Sequence, residues 1–308
     1  MNIQSIFAIT DFSTQAEQGL ERAALLAHAH DAKLSVMYAT EAPDPKFSDP
    51  FARLEQRARQ LARRHNISVK AVARTGGMVD DILKQCQRSN LLVLDQRSHR
   101  SPWQFWQGST LDQMLRHSAC PVLVVKQPPE RPYARLLVAV GQTKASQKLV
   151  GHASGFALDA ELELFHALPE GGETRPGSTV MTPEAVNAYR QKAHGGARDR
   201  LFRFTDSSHA RRNRVSAVSG RAEPARQIAV QQEASKADLI VVGKERSSTV
   251  ADMLLGSIAQ RVTHWARSDV LVVPNGYRAP TSAAAAARIQ DLPHQQQHLG
   301  RLQWGTAR

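Results

Sequence analysis

Cysteine is nearly absent from this 308-residue chain, which holds only Cys86 and Cys120. Two thiols standing alone in sequence exclude a disulfide framework and a thiolate metal site, and they make a reducing cytoplasm the expected compartment. Neither has an adjacent histidine or basic cluster to activate it, so both read as small core residues. Long apolar runs are missing as well. Leu136-Leu137-Val138-Ala139-Val140 and Leu239-Ile240-Val241-Val242 end far short of the roughly 20 residues that cross a bilayer, so no membrane span is expected. Met1 to Phe7 has neither a basic leader nor a cleavable apolar stretch and reads as a first strand.

Several catalytic signatures are also lacking. There is no G-x-x-x-x-G-K-[S/T] phosphate loop, no G-x-S-x-G nucleophile elbow and no H-E-x-x-H pair. ATPase, esterase and metalloprotease arrangements thus lose their central groups, and the expectation is a protein that is not an enzyme. His28 and His30 are too close in sequence to share a helix face, and His294 and His298 sit in a weakly patterned tail, so no metal is expected.

The apolar share of 42% and charged share of 22% are ordinary for a folded soluble chain and exclude a fibrous or wholly disordered one. Positive charge is the imbalance. The formal net charge is +12, and residues 131–308 hold most of it, with 24 Lys and Arg against 15 Asp and Glu. Its densest part is Arg198, Arg200, Arg203, Arg211, Arg212 and Arg214. Such a run attracts phosphate-bearing partners at long range, or is simply a solvated helix face. No recognised nucleic-acid module or aromatic stacking pattern accompanies it, so a nucleic-acid partner is the weaker reading.

What the sequence does have is an internal repeat. Ser5 to Asp11 corresponds to Arg135 to Gly141, Asp31 to Ala39 corresponds to Asp159 to Ala167, and Gly108-Ser109 through Val125 parallels Gly256-Ser257 through Pro274. Order and spacing are kept, which is the mark of a tandem duplication. Gln127-Pro128-Pro129-Glu130-Arg131-Pro132 lies between the copies, and its prolines favour an extended linker. The expected domains are 1–127 and 133–274, with a linker at 128–132 and a flexible tail at 275–308.

Short apolar runs alternate with helical-period segments in each copy, the pattern of βαβ units around a buried parallel sheet. Five strands per copy are predicted: Ile3 to Ile9, Lys33 to Ala39, Ile67 to Ala73, Leu91 to Leu94 and Val122 to Val125, then Arg135 to Val140, Glu161 to Ala167, Val215 to Val218, Leu239 to Val242 and Val270 to Val273. Helices between them carry apolar stripes such as Leu20, Ala23, Ala24 and Ala27, or Ile228, Ala229 and Ala234. The fold class is therefore α/β, with two tandem doubly wound five-stranded parallel-sheet domains. The last strands, Val122 to Val125 and Val270 to Val273, are edges that pair with each other inside one chain or with a second chain as a homodimer. Pairing within the chain is favoured because the linker keeps the two copies close.

Ligands in such sheets bind beyond the carboxyl ends of the strands. Gly243 follows the fourth strand of the second copy, and Gly256-Ser257 opens the next helix. Glycine lets the backbone approach an anion, and the free N–H groups of a helix N-terminus stabilise negative charge.

Gly243, the ten-residue step from Arg246 to Gly256-Ser257, the Ala-Gln-Arg-Val helix and the closing Val-Leu-Val-Val strand together resemble the universal stress protein family. The resemblance implies an adenine nucleotide hydrolase-like, flavodoxin-like topology and a non-enzymatic role in stress response with unknown partner proteins. Nucleotide-binding members carry G-x-x-G, nine residues, then G-[S/T], with an Asp ending the first strand. The second copy keeps Gly243, Gly256 and Ser257, but Arg246 takes the second glycine position and Gly141 stands where Asp is expected. The first copy keeps Asp11, Gly108 and Ser109, while Asp95 and Ser98 replace the loop glycines.

A carboxylate at that point repels phosphate. Trp103, Phe105 and Trp106 in the same loop are better suited to filling a groove or forming an interface than to admitting a triphosphate. The resemblance thus implies ATP in the second domain, with Arg246 as a compensating cation and Ala39 or Ala167 bordering a base, and a degraded site in the first. Helix capping explains Ser257 with Gln260, Thr110 with Gln113, and the run from Asp11 to Thr14 equally well. A purely architectural tandem module is the remaining alternative.

Overall fold

Ten apolar runs become ten strands, and they assemble into one sheet in the order β3-β2-β1-β4-β5-β10-β9-β6-β7-β8. A computed structural model describes residues 1–40, 47–95, 110–141, 144–168, 215–221, 223–244 and 258–278. The arginine run 198–214, the loop aromatics Trp103, Phe105 and Trp106, and residues 279–308 lie outside the described residues. Met1–Tyr277 forms one compact unit.

Its first half runs β1 Ser5–Thr10, α1 Thr14–Ala29, β2 Lys33–Tyr38, α2 Pro50–His65, β3 Val69–Val72, α3 Met78–Cys86, β4 Leu91–Asp95, α4 Thr110–His117 and β5 Val122–Val125. The second runs β6 Arg135–Ala139, α5 Lys144–Phe156, β7 Glu161–Leu168, β8 Val215–Arg221, α6 Pro224–Ser235, β9 Leu239–Lys244, α7 Ile258–Trp265 and β10 Asp269–Pro274.

Pairing inside each half is parallel, with Ala8 opposite Val36 and Val93, and Val138 opposite Leu164 and Val241. The halves meet where β5 and β10 pair antiparallel, Leu123 opposite Leu271. The two five-stranded domains therefore share a single sheet, because each last strand satisfies the other's open backbone edge. Central strands are apolar on both sides: Leu91 to Leu94, Val122 to Val125 and Leu239 to Val242 are all buried. This explains their continuous rather than alternating pattern.

Helix ends follow local chemistry. Ser13 caps α1 by accepting from the Ala16 N–H at 3.2 Å, and Leu20, Ala23, Ala24 and Ala27 form its buried stripe. Asp49 caps α2, Pro50 occupies its first turn, and Asn66 ends it at φ 51°. In α6 the buried residues are Ala225, Ile228 and Gln232. Ala234, expected beside Ile228 on the apolar stripe, is exposed instead. Helical spacing sets it apart from Ile228, since six residues rotate about 600°, roughly 120° short of two full turns.

Cys86 and Cys120 are distant in sequence but not in space. Both are buried, and their thiols hydrogen-bond to each other, with the Ser118 hydroxyl 3.5 Å from Cys120 Sγ. The bond to Cys120 and burial push the Cys86 thiol upward, which keeps it protonated and unreactive.

On the outer face, Glu21 of α1 receives Arg57 at 2.9 Å, Arg64 at 2.7 Å and the His65 ring at 2.7 Å from α2. Burial pulls its carboxyl up, but these three partners outweigh it and leave Glu21 below the ordinary carboxylate value. A depressed folded value contributes stability above the unfolded value of about 4.3, lost as pH falls through the folded one. Glu21→Gln is expected to flatten the acid limb of a urea-midpoint profile below pH 5, with a smaller change at pH 7. An acid limb identical to that of the parent protein contradicts this assignment.

Candidate functional site

The residues that end neighbouring strands meet at one end of each half-sheet. In the second half, Ala139 is opposite Val242 on β9 and Phe165 on β7. One or two steps further, Gly141, Gly243 and Ala167 share the tip of the sheet. The Gly141 N–H donates to Ser146 Oγ at 2.9 Å, which ties the β6 tip to α5. The buried His166 ring holds the neighbouring turn through Nδ1, 2.8 Å from the Val140 carbonyl oxygen.

Gly243 was expected just after its strand but lies inside it, opposite Val273, because pairing with β10 continues through Pro274. The Asn275 N–H extends the contact to the Lys244 carbonyl at 3.0 Å. A Cβ added at Gly243 would sit 3.6 Å from Asn275 Oδ1 and Leu149 Cδ2, an ordinary contact. Its φ is not among the positive ones, so neither backbone nor neighbours demand glycine.

The first half carries a different set in the same places. Asp95 ends β4 and is buried, level with Thr10 on β1, and Asp11 follows Thr10. Asp11 Oδ1 accepts from the Ser13 N–H at 2.9 Å, and Thr10 Oγ1 accepts from the Phe12 N–H at 2.9 Å. These bonds hold Phe12 at φ 65°, a left-handed conformation rare for a bulky side chain and costing about 1–2 kcal/mol.

The strain turns the Phe12 ring onto Tyr38 at the β2 tip, stacked at 4.8 Å, and edge-on to Phe47 at 5.2 Å. The Arg53 guanidinium lies over both phenylalanines, 4.9 and 4.4 Å from their centroids. Sequence reasoning missed this cluster. Its only signal was two aromatics at the ends of adjacent predicted strands.

Of the residues singled out from the sequence, Gly243 and Ala167 are thus brought to one tip, with Gly141 between them. Asp11 sits at the corresponding tip of the other half. Arg246, Gly256, Ser257, Gly108 and Ser109 lie outside the described residues. Among the described residues, no group of three His, Cys, Asp or Glu side chains could hold a metal ion. No described helix is long and apolar enough to cross a membrane.

The profile of the universal stress protein family matches residues 2–126 and, separately, 132–274. The chain belongs to the universal stress protein family. A universal stress protein of Mycolicibacterium smegmatis is 25% identical over 289 residues, covering 85% of this chain and 94% of the relative. A second, from Mycobacterium tuberculosis, is 29% identical over 176 residues, 54% of each chain.

Among solved structures, a universal stress protein from Archaeoglobus fulgidus superposes with a TM-score of 0.65 at 18% identity, covering 88% of this chain and 96% of that one. A putative universal stress protein from Pseudomonas aeruginosa gives 0.60 at 21%, covering 94% and 97%. At these identities the two structures speak for the fold. This universal stress protein accordingly has two family domains in one chain, joined edge to edge.

Proposed function

We propose that this universal stress protein acts without catalysis, as a stress-response protein whose second domain binds an adenine nucleotide and whose first does not. One contrast carries the reading: the two tip positions that are Asp11 and Asp95 in the first domain are Gly141 and Gly243 in the second. Two carboxylates at a phosphate site oppose the ligand's charge, whereas two glycines at the same positions add no charge of their own and leave main-chain groups accessible. The aromatic cluster of Phe12, Tyr38 and Phe47 adds bulk at the first tip. At the second, Ala167 is small enough to border a base.

The residues present suit the ligand: no side chain at Gly141 or Gly243, and an amide side chain at Asn275 beside Gly243. In this reading Gly256 and Ser257 at a helix N-terminus hold phosphate oxygens, and Arg246 supplies a cation. ATP is the ligand that the family resemblance implies. Occupancy then biases the segment from Lys244 to Leu255 toward one conformation, and partner proteins read that change.

We take 1–127 and 133–274 as the domains, with 128–132 as linker; of the expected tail 275–308, Asn275 to Tyr277 belong to the compact unit. We place the protein in the cytoplasm, a reading supported by its two free thiols.

Isothermal titration of the full chain with ATP tests the proposal. Saturable binding to the parent protein, with loss of at least tenfold in affinity for Gly243→Asp and little loss for Gly243→Ala, is the expected result. Circular dichroism checks that both variants fold. If the parent protein binds no ATP, or Gly243→Asp binds as tightly as it does, the proposal is overturned and an architectural, partner-binding module takes its place.

A further inference from the structure

Helix α6 carries two stripes. Ala225, Ile228 and Gln232 are buried beneath it. Rotated from that stripe, Arg226, Ala229, Val230 and Glu233 fall at i, i+3, i+4 and i+7, the spacing of a second contact face. Val230 is 54% exposed, and Trp265 at the end of the adjoining α7 is 50% exposed. With these four residues Trp265 lines a cleft of about 430 Å³. An apolar centre of Ala, Val and Trp placed between a cation and an anion is how interfaces are built, with polar groups at the rim.

The order of charges names the occupant. Arg226 and Glu233 stand seven residues apart, about 10 Å along the helix, with Ala229 and Val230 at the midpoint. If α6 is laid antiparallel on a copy of itself, about a two-fold axis between Ala229 and Val230, Arg226 lies opposite the partner's Glu233 and Glu233 opposite the partner's Arg226. The same operation sets Val230 over the partner's Ala229, a large residue over a small one, in both directions. The stripe is complementary to itself under a two-fold rotation, the condition for an isologous dimer.

Among the described residues no carboxylate pairs with the Arg226 guanidinium. Glu233 is 3.4 Å from Arg267, but these side chains are 57% and 83% exposed, so that pair has little energy and exchanges readily. The β5 and β10 edges, which the sequence offered to a second chain, already satisfy each other.

We propose that the face formed by α6 and α7 is a two-fold interface between two copies of this chain, with Val230 and Trp265 at its centre and reciprocal Arg226–Glu233 pairs at its rim. Sedimentation equilibrium on the full-length protein, across low to high micromolar concentration, tests it. A monomer–dimer equilibrium is expected. Arg226→Glu and Glu233→Arg should each raise the dissociation constant at least tenfold by setting like charges opposite each other, and the double variant should restore it to within threefold of the parent value.

Val230→Glu should leave only monomer. All three substituted positions, Arg226, Val230 and Glu233, are exposed on one helix, and thermal unfolding checks that each variant is folded. A parent protein that stays monomeric overturns the proposal. So does a dimer that Arg226→Glu and Val230→Glu leave intact, which places the interface elsewhere, or a charge-swapped double variant that remains as weak as the single ones.

Discussion

Asp269→Ala is expected to lower the stability of the protein by about 3–5 kcal/mol, read as a fall in urea midpoint at unchanged slope. Asp269 is 1% exposed and gathers donors from three separate stretches of chain. Its Oδ1 accepts from the backbone N–H groups of Lys126 at 2.8 Å and Gln127 at 3.1 Å, and its Oδ2 from the Tyr133 hydroxyl at 2.6 Å. Arg22 Nε is 3.5 Å away, its guanidinium lies 4.2 Å from the Tyr133 ring centroid, and its other end donates to the Arg131 carbonyl at 2.7 Å.

Removing the carboxylate leaves a buried guanidinium without its counter-ion and a phenol and two amides without their acceptor, and the unpaired cation dominates that cost. Burial pushes the Asp269 carboxyl above its ordinary value even with these donors around it, so the charged pair itself gains little over an apolar one. The cycle through Arg22→Met is therefore decisive. Arg22→Met with Asp269→Leu should recover more than half of the loss, because it removes the stranded cation together with its partner. A double variant as unstable as the sum of the two single ones contradicts this account.

That cluster also marks where the sequence stops being readable. The strands were legible because their apolar runs are continuous and bounded by turn residues, and the repeat fixed their order twice over. Gly243 and Ala167 could be set at strand tips by the same logic, since strand ends in a parallel sheet define one face of the molecule.

Contacts made by folding were not legible. Nothing in Asp269, first residue of a strand, says that it will meet Arg22 and Tyr133, and nothing in the spacing of Cys86 and Cys120 says that the two thiols will touch. The Phe12 cluster depends on a left-handed backbone angle set by two side-chain bonds from Thr10 and Asp11, a local competition that periodicity does not register. Ala234 was misplaced because it was grouped with Ile228 by apolarity, when helical geometry assigns the buried stripe to Ala225, Ile228 and Gln232.

Phe156→Ala is expected to cost about 3–5 kcal/mol, and its effect should reach both domains at once. Phe156 ends α5 in the second domain and is 2% exposed. Its ring packs on Tyr133 at 6.0 Å and on His30 of the first domain at 6.3 Å, and the His30 Nε2 is 3.0 Å from the Phe156 carbonyl oxygen. Burial lowers the proton affinity of His30, so at neutral pH its ring is uncharged and donates there without carrying a buried cation. Tyr133 leads from this contact to Asp269, and Asp269 begins the strand that pairs with β5.

The joined sheet edge, the Asp269 cluster and the Phe156 contact thus bind the halves into one cooperative body, although each half repeats the family fold. A single unfolding transition is expected for the parent protein and for Phe156→Ala, the latter shifted to lower denaturant. The test is hydrogen exchange monitored by mass spectrometry across the urea series. Protection in β1 and in β6 should vanish at the same midpoint in each protein. Two separated midpoints in the parent protein would mean that the shared edge joins two independently folding domains, and the predicted reach of Phe156→Ala into the first would fail with it.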